Sequence, residues 1–248
     1  MEETLPPRKR PRGIYLLPNL FTTAALFAGF YAVLAATQDR FEAAALAIFA
    51  AMILDGFDGR VARITNTQTE FGAQYDSLSD MVAFGVAPAL VAYHWALAGL
   101  GKLGWLAAFV YTAAAALRLA RFNTQIGIAD KRYFQGLASP SAAAIIASGI
   151  WTATDLQIDG ASLSWLAAFL TASAGLLMVS NFRYLSFKQL SLQGRVPFLL
   201  AVGVMLVFAV ILLYPPFVLF VMAILYAISG PAWTLVGLRQ NRAKRRRE

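Results

Sequence analysis

The chain has 248 residues, of which 59% are hydrophobic and 14% charged, with a net charge of +8 and a mean hydropathy of +0.60. A soluble domain would sit nearer about 45–50% apolar and about 25% charged, so this composition excludes one and indicates a polytopic membrane protein. There is no cysteine, which removes disulfides, thiolate zinc sites and a cysteine nucleophile.

The chain opens with a basic segment, 1–13, holding Arg8, Lys9, Arg10 and Arg12. An apolar run from Ile14 to Thr37 follows. It is too long for a signal-peptide core and reads as a retained first helix. Charged, Gly/Pro and polar punctuation then divides the chain into predicted spans at 14–37, 41–64, 71–98, 103–123, 139–154, 162–181, 196–213 and 216–237. The fifth is short against the roughly 20 residues that cross a bilayer. The predicted fold class is therefore all-α, a transmembrane helical bundle of about eight spans. Its core occupies 14–154, further helices 155–237, and a basic tail 238–248. In "QGLASPS" (135–141), Ser139 is expected as the N-cap of the fifth helix, with Pro140 at its first position.

Charge sets the orientation. Of 21 Lys and Arg, only Arg40 and Lys102 fall on the side of the 38–40, 99–102, 155–161 and 214–215 loops. The other side holds the rest, including Lys131, Arg132, Arg183, Lys188, Arg195 and the tail "RQNRAKRRRE". By the positive-inside rule both termini are predicted to be cytoplasmic. Trp95, Trp105, Trp151 and Trp165 flank the opposite loops, as interfacial tryptophans do. His94 in "YHW" reads as part of the same belt. The basic tail reads as topology signal and contact with anionic membrane lipids, with no nucleic acid implied.

The stretch "DGFDGRVARITNTQTEFGAQYDSLSD", 55–80, breaks this apolar pattern. Asp55, Asp58, Gly59, Ala62 and Arg63 recur at i, i+3, i+4, i+7 and i+8, and so share one helix face. Beyond a polar turn, Gly72, Asp76 and Asp80 recur at i, i+4 and i+8, again on one face. Two antiparallel helices would bring the four carboxylates together near the cytoplasmic membrane surface. Four such groups repel one another and are costly to desolvate, so protons or cations must neutralise them. All-oxygen ligands favour hard divalent ions such as Mg²⁺ or Mn²⁺. Four aspartates suffice for two ions, an arrangement suited to phosphoryl transfer. Gly59 and Gly72 leave room for a close approach, and Arg63 can meet a diphosphate oxygen as a forked donor.

These residues match the pattern Asp-x2-Asp-Gly-x2-Ala-Arg-x8-Gly-x3-Asp-x3-Asp, and the chain resembles the CDP-alcohol phosphotransferases. "LPNLFTTAALFAGF" (17–30), "LRLARFN" (117–123) and "YFQGLASPSAAA" (133–144) are similar to the bacterial phosphatidylserine synthases of that family. The resemblance implies that Asp55, Asp58, Asp76 and Asp80 bind two divalent cations, with Asp80 also the general base. It places Gly59, Ala62, Arg63, Thr69 and Gly72 against CDP-diacylglycerol, and implies L-serine as acceptor, a homodimer, and an inner-membrane location with the site at the cytoplasmic face.

The acceptor is less legible than the donor. Arg118 and Arg121, at i and i+3 in an apolar helix end, are candidates for the serine carboxylate, with Asn123 beside them. Glycerol 3-phosphate or inositol phosphate would use arginines equally well, and choline is a further alternative. A different class, a divalent-cation transporter, would need acidic residues through the bilayer depth. The predicted spans from residue 84 onward contain none.

Overall fold

The computed structural model describes residues 16–65, 67–124, 133–185 and 198–245. Its helices are α1 (Leu16–Ala36), α2 (Phe41–Thr65), α3 (Glu70–Asp80), α4 (Ala87–Ala92), α5 (Lys102–Thr124), α6 (Ser139–Asp155), α7 (Ser164–Val179), α8 (Phe198–Leu213) and α9 (Pro215–Arg245). Helices α3 and α4 belong to one continuous run, Glu70–Leu100, interrupted by π-helical turns at Met81–Val86 and Tyr93–Leu97. The whole basic N-terminal segment, 1–13, and the final three residues lie outside the described residues. Lys131, Arg132, Lys188 and Arg195 also lie outside the described residues.

The helical runs fall where the sequence predicts them, and the fold is helical as expected. Among the described residues, five helices are long and apolar enough to cross a membrane: Leu17–Ala36, Glu70–Leu100, Lys102–Thr124, Gly160–Val179 and Pro215–Thr234. The shortfall from eight has physical causes. Helix α2 carries Glu42, Asp55, Asp58, Arg60 and Arg63, while α6 has 17 residues and α8 has 16. One element was not foreseen: a two-stranded antiparallel ribbon of β1 (Tyr133–Gln135) and β2 (Arg183–Leu185), with Phe134 opposite Tyr184. Three residues are too few to display a strand period.

The interior is built from small side chains. Ala25, Ala32 and Ala36 of α1 face Ala44, Ala45, Ile48 and Ala51 of α2, all of them buried. Lipid offers no hydrophobic drive for helices to associate, so close approach through small residues and local hydrogen bonds must hold the bundle. Large apolar residues turn outward instead: Phe27, Phe109, Phe169 and Leu213 are exposed. Such a surface would aggregate in water and suits a lipid environment. The seam where α1 meets the first π turn is close: a Cβ on Gly29 would come within 2.6 Å of Ala83 Cα.

The start of α6 departs from expectation. Its N-cap is Ala138, extended at φ −64° and ψ 138°, with no side-chain cap. Ser139 is the first helical residue instead, and its Oγ accepts a hydrogen bond from Arg118 Nη1 at 2.8 Å. A tertiary partner has taken the hydroxyl that local capping would have used.

Gly29→Ala is predicted to overpack the α1 seam at a cost of about 1–3 kcal/mol. Gly203→Ala, where an added Cβ meets nothing within 4 Å, is the control. Thermal unfolding of the detergent-solubilised protein should show a lowered midpoint for the first variant only.

Candidate active site

Helices α2 and α3 are antiparallel neighbours joined by a short turn. Asp55 lies ten residues from the Thr65 end of α2, and Asp80 lies ten from the Glu70 end of α3. At about 1.5 Å rise per residue the two sit at one depth. Asp58 and Asp76 are likewise level, one turn nearer the turn between the helices. Asp55 is accordingly within hydrogen-bonding reach of Asp80 and Asp76, and Asp58 within reach of Asp76.

The aspartates therefore meet in space. Asp55, Asp76 and Asp80 each offer a carboxylate oxygen, all within 4.8 Å of one another. Asp58 lies beside this trio and is only 4% exposed. Its Oδ2 accepts from the buried Thr22 hydroxyl of α1 at 2.8 Å. Asp76 Oδ1 is buried with no hydrogen-bond partner. An orphaned buried carboxylate oxygen is costly, and here it faces other carboxylates. The all-oxygen donor set therefore fits a hard divalent cation.

Two supports of this cluster escaped the sequence reading. Thr22 fixes Asp58 directly, and Ser79 Oγ donates to the Thr22 carbonyl at 3.0 Å, locking α3 to α1 at that level. Both are small hydroxyl residues in helices, where their ordinary role is a bond to their own backbone. Only their partners on other helices reveal more. A further support follows Asp80 at once. The π turn closes with Ala87 N–H donating to Val82 O, five residues back. The Phe84 carbonyl in that turn accepts from Tyr111 O–H of α5 at 2.9 Å.

The residues expected around the nucleotide lie on the open side. Arg63 is exposed, with Nη1 3.7 Å from where a Gly59 Cβ would stand. Nothing else lies within 4 Å there, so packing does not require Gly59, and its bare backbone leaves space for a ligand. Ala62 is half-buried one turn further along α2. Thr69 has a local task as well: its Oγ1 accepts from Gly72 N–H at 3.0 Å as the N-cap of α3. A Cβ on Gly72 would press on that hydroxyl at 3.1 Å.

The three acceptor candidates have different surroundings. Asn123 pairs reciprocally with Ser77, beside Asp76. Arg121 Nη1 donates to the Val179 carbonyl at 3.1 Å, and so holds the end of α7. Arg118 differs from both. It gives Nη1 to Ser139, yet its Nε is buried with no partner, and the guanidinium lies within electrostatic reach of Asp80.

Comparison with known proteins decides the lineage. The family profile described as CDP-alcohol phosphatidyltransferase matches residues 15–179. The chain belongs to the CDP-alcohol phosphatidyltransferase family. Similar family members include a CDP-diacylglycerol–serine O-phosphatidyltransferase of Helicobacter pylori, 37% identical over 196 residues, 79% of this chain and 82% of that protein. Proteins of the same description from Bacillus subtilis and Mycobacterium tuberculosis are 33% and 35% identical, over 70% and 69% of this chain and 92% and 63% of their own lengths. The acidic cluster lies within the stretch common to the family profile.

Thr22→Val is predicted to leave Asp58 without its donor and weaken divalent-ion binding about 10–100-fold, the usual cost of losing an outer partner of a ligand. Thr22→Ser should retain near-native affinity. Calorimetric titration of the purified protein with Mn²⁺ measures both.

Proposed function

We propose that the chain is a CDP-diacylglycerol–serine O-phosphatidyltransferase that forms phosphatidylserine and CMP. The observation that carries this reading is the juxtaposition of the three-carboxylate cluster with the buried, half-satisfied Arg118 next to Asp80. The relatives' common description supports serine as the acceptor. Asp55, Asp58, Asp76 and Asp80 are the residues that would hold two divalent cations, Mg²⁺ or Mn²⁺. When bound, such ions offset the charge that develops on the departing CMP.

The rest falls to the chain's own side chains. Gly59, Ala62 and Gly72 line the nucleotide's approach with little side-chain bulk. Arg63 meets the diphosphate as a planar fork, and Thr69, its oxygen used as an acceptor, still has an O–H to donate. Arg118 holds the serine carboxylate, with Arg121 and Asn123 fixing the walls on either side. The serine hydroxyl then lies towards Asp80, which takes its proton as the oxygen attacks the phosphorus bearing diacylglycerol. The bond from that phosphorus to the CMP oxygen breaks. A carboxylate is a weak base for an alcohol, so positioning supplies most of the acceleration.

In this reading the chain is a multi-pass inner-membrane protein of eight spans with both termini cytoplasmic. The catalytic core is 14–154, the helices of 155–237 are additional, and the site opens at the cytoplasmic face. The positive-inside asymmetry supports that orientation. The working unit is a homodimer, a state the small-residue helices permit.

Purified protein supplied with CDP-diacylglycerol is predicted to use L-serine in preference to glycerol 3-phosphate, inositol phosphate or choline. It should lose turnover in excess chelator and regain it with Mg²⁺ or Mn²⁺. Preference for another alcohol would reassign the acceptor, and full turnover in chelator would remove the metal role. Asp80→Asn should still bind CDP-diacylglycerol but turn over about 10²–10⁴-fold more slowly, the typical loss with a general base. Asp58→Asn should instead weaken metal and nucleotide binding together. If raising the metal concentration restores both variants equally, Asp80 is a ligand only.

A further inference from the structure

The family profile ends at Val179, yet part of the surroundings of Arg118 comes from beyond it. Helix α9 packs along α6 and against β2. It contains Pro231, which has no N–H to offer the carbonyl four residues back. That carbonyl belongs to Ala227. It accepts instead from the O–H of Tyr184 in β2, at 2.9 Å.

Several features converge on this bond. Tyr184 is fully buried, so its hydroxyl has no water to fall back on if the Ala227 carbonyl is withdrawn. Any side chain at Gly230 would overlap the Tyr184 ring, so glycine directly before the proline is what admits it. One turn along, the Thr234 hydroxyl accepts from Arg183 N–H at 3.1 Å. The Tyr184 ring also packs on Tyr226, with centroids 5.5 Å apart.

Tyr184 thereby stands between the two residues that bracket Arg118. On one side, β2 pairs with β1, and the chain leaving β1 runs through Gly136, whose N–H donates to Phe182 O at 2.9 Å, to Ser139. Ser139 is the hydrogen-bond partner of Arg118. On the other side, Tyr226 of α9 lies within electrostatic reach of the same guanidinium.

We infer that Tyr184 is a positioning residue for acceptor binding: by filling the hydrogen bond that Pro231 leaves open, and by packing its ring on Tyr226, it sets α9 so that Tyr226 stays near Arg118, making the last helix a wall of the acceptor pocket. This rests on the reading of Arg118 as the acceptor's carboxylate site.

The test uses the full chain in nanodiscs, with steady-state kinetics in both substrates and a melting curve for each variant. Tyr184→Phe keeps the ring on Gly230 and deletes the bond. It should raise the KM for serine about tenfold, the size of one buried acceptor left unmade, while kcat and the KM for CDP-diacylglycerol stay within about twofold. Pro231→Ala gives Ala227 its main-chain donor, so in that background Tyr184→Phe should shift the serine KM less than about threefold. Tyr226→Phe, which leaves the latch intact, should raise the serine KM alone. These last two comparisons decide the matter even if Tyr184→Phe by itself does not fold. An unchanged serine KM in Tyr226→Phe, equal rises for both substrates, or no rescue by Pro231→Ala would overturn the inference. Arg118→Lys separates the premise: an unchanged serine KM there removes Arg118 from the acceptor site, whereas a raised one beside a silent Tyr184→Phe refutes the latch alone.

Discussion

Mutual repulsion among carboxylates in a poorly solvated space is the constraint on which the rest depends. Asp55, Asp76 and Asp80 bring their oxygens within 4.8 Å of one another, and Asp58 is buried at their edge. A fold left to minimise its own free energy would separate them, since each buried charge needs a partner. Here the backbone forbids separation. Antiparallel α2 and α3 hold Asp55 level with Asp80 and Asp58 level with Asp76, while Thr22 and Ser79 pin both helices to α1. The stored repulsion becomes affinity for whatever positive charge enters.

The cationic side chains near this cluster divide by accessibility. Arg63 is exposed at the open end, suited to a ligand that arrives and leaves. Arg118 of α5 is buried against α6, with one nitrogen satisfied by Ser139 and another satisfied by nothing. A buried guanidinium nitrogen without a partner is disfavoured unless a substrate oxygen completes it. Arg121 lacks that quality: its Nη1 meets the Val179 carbonyl at the end of α7, and none of its nitrogens is buried without a partner. Two arginines three residues apart on one helix thus have different chemistry for reasons of packing alone.

Much of this was readable beforehand because it depends on local periodicity. The acidic positions follow from helical spacing, and the helix positions follow from runs of apolar residues. What could not be read depends on encounters between distant segments. Ser139 looks like an N-cap until Arg118 arrives from 21 residues away. Thr22 is one of two adjacent threonines in α1, and only the fold shows which of them meets Asp58. The β1–β2 ribbon is invisible for the same reason: each strand is three residues long and gains its identity from the other. Tyr184 and Pro231, 47 residues apart, explain each other once α9 is docked.

The π turn directly after Asp80 has a consequence for how this helix can vary. A π turn accommodates one residue more than an α turn, so Met81–Val86 is a point where the gearing between the two halves of the run is reset. Upstream, the helix aims Asp76 and Asp80 at α2. Downstream, Ala87, Ala89 and Val91 turn inward to the core. Were the turn to relax to ordinary α geometry with all its residues kept, the extra residue would have to be taken up as rotation. One half would then rotate against the other by about 100°, the angle of one residue in a 3.6-residue turn. The π geometry of this short segment is therefore as binding a requirement as the identity of the aspartates, and small residues such as Ala83, packed against Gly29, are fixed along with it.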